Sequence, residues 1–239
     1  MNEFYEIEPL LTSDDFTPKN GLSDDEVAAV LAVLSNLYQF YMKYSTASPE
    51  YVVDNIENDA NELYETLSYS ALEVITTYFN ESFNKDMDKF YIPNDYLSFD
   101  LDEDIDIVLA TIVATVNQLR DNALSKAKHY IVNMKNFQET FNLNSNFKEA
   151  VTKINNLVSF NLMNAKEKGH REVMKFVYGE EMLYAWKTAG DMRVCGWCID
   201  LSKSEPKTID KFPLDHPHGR CWLEPVNQNY TEEYRRLLS

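Results

Sequence analysis

Apolar positions recur at three- and four-residue spacing over most of the chain, the period of a helix that buries one face. Val27, Val30, Leu31, Leu34, Leu37, Tyr38 and Tyr41 set that period first. Ser23 stands ahead of them as a side-chain acceptor, Glu26 follows three residues on as in a capping box, and Asp24 and Asp25 suit the positive end of the helix dipole. The spacing predicts a helix from residue 23 to about residue 44. Ser48, Pro49 and Glu50 open the next one, and Val53, Ile56, Ala60, Leu63, Leu67, Ala71, Val74, Ile75 and Tyr78 carry it to about Phe83. Pro93, Asn94 and Asp95 break the pattern, and two more helices are predicted, from Ile105 to about Phe137 and from about Asn146 to Tyr178 with a break at Gly169. The aromatic side chains at helical spacing read as core.

Either side of this helical region the pattern is lost. Residues 1–22 mix acids with Pro9, Pro18, Asn20 and Gly21 and read as an irregular acidic arm. From Gly190 the helical period stops. Short runs at Arg193–Val194, Ile199–Leu201 and Cys221–Val226, separated by turn residues, read as a small irregular β module, and Thr231 caps a closing helix to Leu238. The expected fold class is therefore mainly α: a helical region over 23–180, then a small carboxy-terminal α+β module over 181–239 that a zinc ion would stabilise.

Charge sharpens the division. The chain has 239 residues and a formal net charge of −17, which argues against a whole-protein electrostatic grip on DNA or an anionic membrane. Up to Arg120 there are 5 basic and 24 acidic residues, and beyond it 17 and 15. The only stretch suited to phosphate lies in 121–180, where Lys126, Lys128, Lys135, Lys148, Lys153, Lys166, Lys168, Arg171 and Lys175 outnumber the acids, although lysines on a helix most often serve solvation. The acidic run Asp100–Asp106 lacks the glycine and spaced ligands of an EF-hand and reads as a solvated helix start. The longest apolar stretch, Ile105–Val116, is too short for a membrane span, and MNEFYEIEPL lacks the features of a secretory signal, so the mature chain is expected to start there.

All three cysteines lie in 195–221, a number that suits a reducing compartment and hence synthesis in a cytoplasm. Cys195 and Cys198 form a C-x-x-C, and His216, His218 and Cys221 bring further soft ligands about twenty residues later. Tetrahedral zinc takes four nitrogen or sulfur ligands, usually as two close pairs joined by a loop. The candidate metal set is Cys195, Cys198, His216 and Cys221, with His218 as the alternative histidine: Pro217 stiffens the backbone after His216, while Gly219 leaves His218 freer. Two other uses stay open, reduced thiols packed in a small core and a redox dithiol. The redox use wants the C-x-x-C at the start of a helix after a strand in a βαβ unit, which the surrounding sequence does not supply.

The order Trp186, Lys187, Thr188, Gly190, Asp191, Arg193, Val194, Cys195, Cys198, Leu201, then His216, Pro217, Arg220, Cys221, Leu223 and Pro225 resembles the carboxy-terminal domain of the Mu F-like (MuF) minor head proteins of tailed phages. That domain runs W-x-T-x-x-D-x-R-V-C-x-x-C-x-x-L, a variable loop, and H-P-x-C-R-C before an aliphatic residue and proline. Gly219 stands where many members carry the first cysteine of C-R-C, which leaves His216 or His218 to complete a metal site. Arg171 and Glu172 also fit a pair that members carry ahead of the motif. The likeness covers about residues 165–226.

The resemblance implies a virion protein present in few copies in the head interior or near the portal vertex. It implies contacts with the portal protein and with the major capsid protein or scaffold, a part in head assembly, DNA packaging or ejection, and no catalysis. It also allows contact with packaged DNA through the carboxy-terminal half. Arg193 and Arg220 are candidates for acid or phosphate contacts, with surface solvation the plainer role. Two rival readings come from other classes. An HNH-like nuclease would use Asp215 and His216, but needs a further Asn or His on a following helix, where the chain has none. A zinc-stabilised interaction module unconnected with virions would be favoured if the acidic front bound a basic cellular protein.

Overall fold

A computed structural model describes residues 11, 16, 22–93, 95–99, 101–133, 141–190, 194–213, 221–227 and 229–239, without the side chains of 102–104. Among the described residues the chain is mainly helical, with a three-stranded antiparallel sheet near its carboxy terminus. The elements are α1 (Asp24–Tyr44), α2 (Pro49–Lys89), α3 (Asp102–Asn133), α4 (Asn144–Tyr178), β1 (Leu183–Thr188), α5 (Gly196–Ser202), β2 (Lys207–Thr208), β3 (Cys221–Pro225) and α6 (Glu232–Leu237). A 3₁₀ turn at Ile209–Lys211 follows β2. No helix is long and apolar enough to cross a membrane among the described residues.

The chain divides into two compact units, one of residues 1–74 and 102–159, the other of 75–101 and 160–239, so that the boundary falls inside α2 and α4. The first unit is built on regular stripes. Val30, Val33, Leu34 and Leu37 of α1, Val52, Ile56 and Leu67 of α2, Val108, Ile112 and Ala123 of α3, and Phe147, Ile154 and Val158 of α4 are all buried. The capping box at Ser23 and Glu26 is formed, with both hydrogen bonds present. Phe40 and Tyr41 of α1 pack on Phe147 of α4 at 5.8 and 5.1 Å between ring centroids. Tyr41 donates to Asn144 Oδ1, and Lys43 and Tyr44 both reach the Asp59 carboxylate. Phe16, placed in the irregular arm by the sequence, is buried against Tyr38 and Tyr41.

The second unit combines a small core with several specific close contacts. α4 continues unbroken through Gly169, contrary to the expected break. A Cβ at Gly169 would sit 2.8 Å from the Phe79 carbonyl oxygen and 3.1 Å from the Phe83 nitrogen, so the glycine is there to let α4 approach the α2 backbone. One residue on, His170 Nδ1 lies 2.6 Å from Asp86 Oδ2. β1 forms the middle of the sheet, pairing Leu183 with Thr208 on one side and running from Tyr184–Pro225 to Thr188–Cys221 on the other. Thr231 caps α6 as expected; its hydroxyl donates to the Phe176 carbonyl and its N–H to that of Val177.

Two expectations about the module are corrected. Ile199–Leu201 lies in helix α5 and not in an extended run, because Cys195 caps that helix: its sulfur accepts the Cys198 N–H at 3.3 Å. The sheet also begins earlier than Gly190, with β1 at Leu183, whose alternating burial is confined to Tyr184 and Trp186.

Candidate functional site

The carboxy-terminal module gathers the sequence-predicted residues around one small core. Met174, Tyr184, Trp186, Cys198, Ile209, Phe212 and Leu223 are buried together, with Val194, Cys195, Leu201 and Cys221 packed against them. Trp186, Leu201 and Leu223, part of the motif, are thus packing residues. The antiparallel register sets Cys221 opposite Thr188, at the end of β1 from which the chain turns toward α5. Cys195 caps α5, and Cys198 occupies its first turn, fully buried.

The three thiols meet at Cys198. Burial pushes its thiol well above the usual range, and hydrogen bonds with Cys195 and with Cys221 push it further. No disulfide joins them; Cys195 and Cys221 are partly exposed. The donor set has the soft character zinc prefers. Among the described residues, however, no group of three or more His, Cys, Asp or Glu side chains is placed to hold a metal ion. His216 and His218 lie outside the described residues, as do Asp191, Arg193, Asp215, Gly219 and Arg220. Contrary to expectation, the C-x-x-C does stand at the start of a helix after a strand. Its sheet neighbours are antiparallel, not the parallel pair of a βαβ unit.

Arg171 is the residue whose role the sequence least disclosed. It is 6% exposed. Its Nη1 donates to the carbonyls of Ile209 (3.1 Å) and Phe212 (2.9 Å), its Nη2 to that of Pro213 (2.5 Å), and its Nε to Glu167 (2.9 Å). The guanidinium therefore satisfies, in one rigid fork, the carbonyls of the segment that leads toward His216. Lys175 adds a second tie, bridging Glu172 (3.0 Å) and Asp210 (2.8 Å). Trp186 carries an unmet need: its Nε1 is buried without a hydrogen-bond partner.

Four of the nine proposed phosphate-facing cations are engaged elsewhere. Arg171 serves carbonyls, Lys175 serves two carboxylates, Lys153 pairs with Glu149 and Gln118, and Lys166 lies over the Tyr78 ring at 5.8 Å. Lys135 is outside the described residues.

No protein-family model matches the chain, and no curated protein and no solved structure is significantly similar to it.

Proposed function

We propose that the chain is a minor head protein of a tailed phage, a structural virion component and not an enzyme. It would be made in the host cytoplasm and carried in few copies in the head interior or at the portal vertex. The observation that carries this reading is the ordered run from Trp186 through Cys195 and Cys198 to Cys221, Leu223 and Pro225. Its support is that one small module accounts for the spacing: Trp186, Cys198 and Leu223 fill the core, Cys195 caps α5, and Cys221 starts the strand beside Thr188. The module docks on the portal protein and on the major capsid protein or scaffold, and acts in head assembly and in DNA packaging or ejection. The front of the chain, with 24 acids against 5 bases, stays clear of packaged DNA by repulsion.

Within this proposal Cys195, Cys198, His216 and Cys221 hold a structural zinc ion, which ties the α5 cap to the start of β3 and stabilises a module whose own core is small. Purified particles of a phage that carries the gene, analysed by mass spectrometry after separation of heads from tails, test the function. Recovery of the chain in the head fraction at a few copies per particle is expected. Its absence from particles that package DNA normally contradicts the proposal.

A further inference from the structure

Tyr91 is held in a backbone conformation that tyrosine rarely adopts. Its φ is +57°, the one positive φ outside glycine among the described residues. The reason is local. α2 ends in a Schellman motif, with Ile92 N–H donating to the Met87 carbonyl (2.8 Å) and Tyr91 N–H to that of Asp88 (3.1 Å). The left-handed position of that motif belongs by preference to glycine, because a Cβ there crowds the following carbonyl. Met87 and Ile92, flanking the turn, are buried, whereas Tyr91 is 83% exposed. Its ring therefore returns little burial to offset the strain, and Tyr91 is the position where a glycine would serve the fold better.

The surroundings indicate what the exposed ring is for. Tyr91 is tied to this neighbourhood through the residue before it: the Tyr234 hydroxyl donates to the Phe90 carbonyl at 2.9 Å, and the two rings meet edge-on. Tyr96, packed edge-on against Phe176, and Tyr230, stacked on Tyr178, also show part of their rings to solvent. Tyrosines give large contact area at little rotamer cost, and their faces attract cations. The charges on the flanking segments are mostly acidic: Asp88, Asp95, Glu180, Glu181, Glu232 and Glu233 against Lys89, Arg235 and Arg236. Arg236 and Glu232 pair with each other and drop out together, Lys89 lies over the Phe90 ring, and the Tyr96 hydroxyl donates to Glu233 at 3.5 Å, which sets a carboxylate beside the tyrosines.

We infer that Tyr91, with Tyr96 and Tyr230, forms a docking surface for a basic, arginine- or lysine-bearing segment of a protein partner. The cations of that segment lie over the tyrosine faces and within reach of the carboxylates around them. The inference stands apart from the metal site and from the virion reading.

Calorimetric titration of the full chain with a short peptide of alternating arginine and alanine tests it. The intact protein binds the peptide. Tyr91→Gly, which leaves the charge unchanged, weakens binding about fivefold. Its melting temperature rises by about 2 °C as the strain is relieved. Tyr69→Ala, which removes a 72% exposed tyrosine from the other unit, leaves the affinity as it was. Unchanged affinity in Tyr91→Gly, an equal loss in Tyr69→Ala, or a lower melting temperature in Tyr91→Gly would overturn the assignment. So would Tyr91-dependent binding of a single-stranded oligonucleotide or of phosphatidylserine vesicles in place of the peptide.

Discussion

The first unit buries long stripes in which neighbouring side chains do the same job: Val30, Val33, Leu34 and Leu37 on α1 repeat one apolar contact along one helix face. The second unit rests on single side chains with no substitute, such as Arg171 under three carbonyls and Gly169 against the α2 backbone. Redundant contacts tolerate loss in small steps, whereas a unique contact fails as a whole. The unit that carries the motif is therefore the part whose shape is most sensitive to one residue.

The largest expected effect breaks the comparison at Arg171. Arg171→Ala leaves buried carbonyls at Ile209, Phe212 and Pro213 without donors and removes a buried cation from Glu167, at a cost of about 4 kcal/mol. Chemical denaturation measures the loss, and hydrogen exchange should show it concentrated in residues 207–213 and β1. In the first unit Leu34→Ala costs about 3 kcal/mol by leaving a cavity, without disturbing the module. Gly169→Ala costs about 2 kcal/mol, since the new methyl meets backbone atoms that cannot yield, although alanine is the better helix former. Ser23→Ala, which removes the cap of α1, costs about 1 kcal/mol.

The smallest effect is a pH dependence in the first unit. Desolvation pushes the Asp59 carboxyl up, but hydrogen bonds from Lys43 and Tyr44 and the Lys43 charge outweigh it and hold the folded value below the ordinary 3.8. A depressed carboxyl contributes stability that is complete above the unfolded value and is lost as pH falls through the folded one. Lys43→Met should flatten that acid limb, seen as a smaller drop in melting temperature between pH 5 and pH 3, roughly the window around the ordinary value.

These contrasts also explain which parts of the fold were legible in the sequence. α1 was readable from Ser23 to Tyr44 because its cap, its dipole charges and its apolar spacing are all local signals. α4 was readable in its extent and not in its continuity: Gly169 looks like a break unless the Phe79 carbonyl, far away in sequence, is known to press on it. β1 escaped because only Tyr184 and Trp186 alternate inward, too short a pattern to oppose the surrounding helix signals. α5 was misread because its cap is a sulfur, a rare substitute for the oxygens that usually mark a helix start. For the site, the convergence of Cys195, Cys198 and Cys221 followed from spacing, but Arg171, marked only as a phosphate-suited cation and as half of a pair ahead of the motif, showed no role, since its carbonyl partners lie 38 to 42 residues ahead in the chain.

The three thiols of the module and a histidine are either metal ligands or packing. Zinc analysis of the full chain purified under reducing conditions, with melting followed before and after chelation, decides it most directly. One zinc per chain, a lower melting temperature after chelation, and loss of the metal in Cys195→Ser are expected. A metal-free chain whose melting ignores the chelator, and a Cys195→Ser variant that behaves like the parent, would contradict the metal assignment.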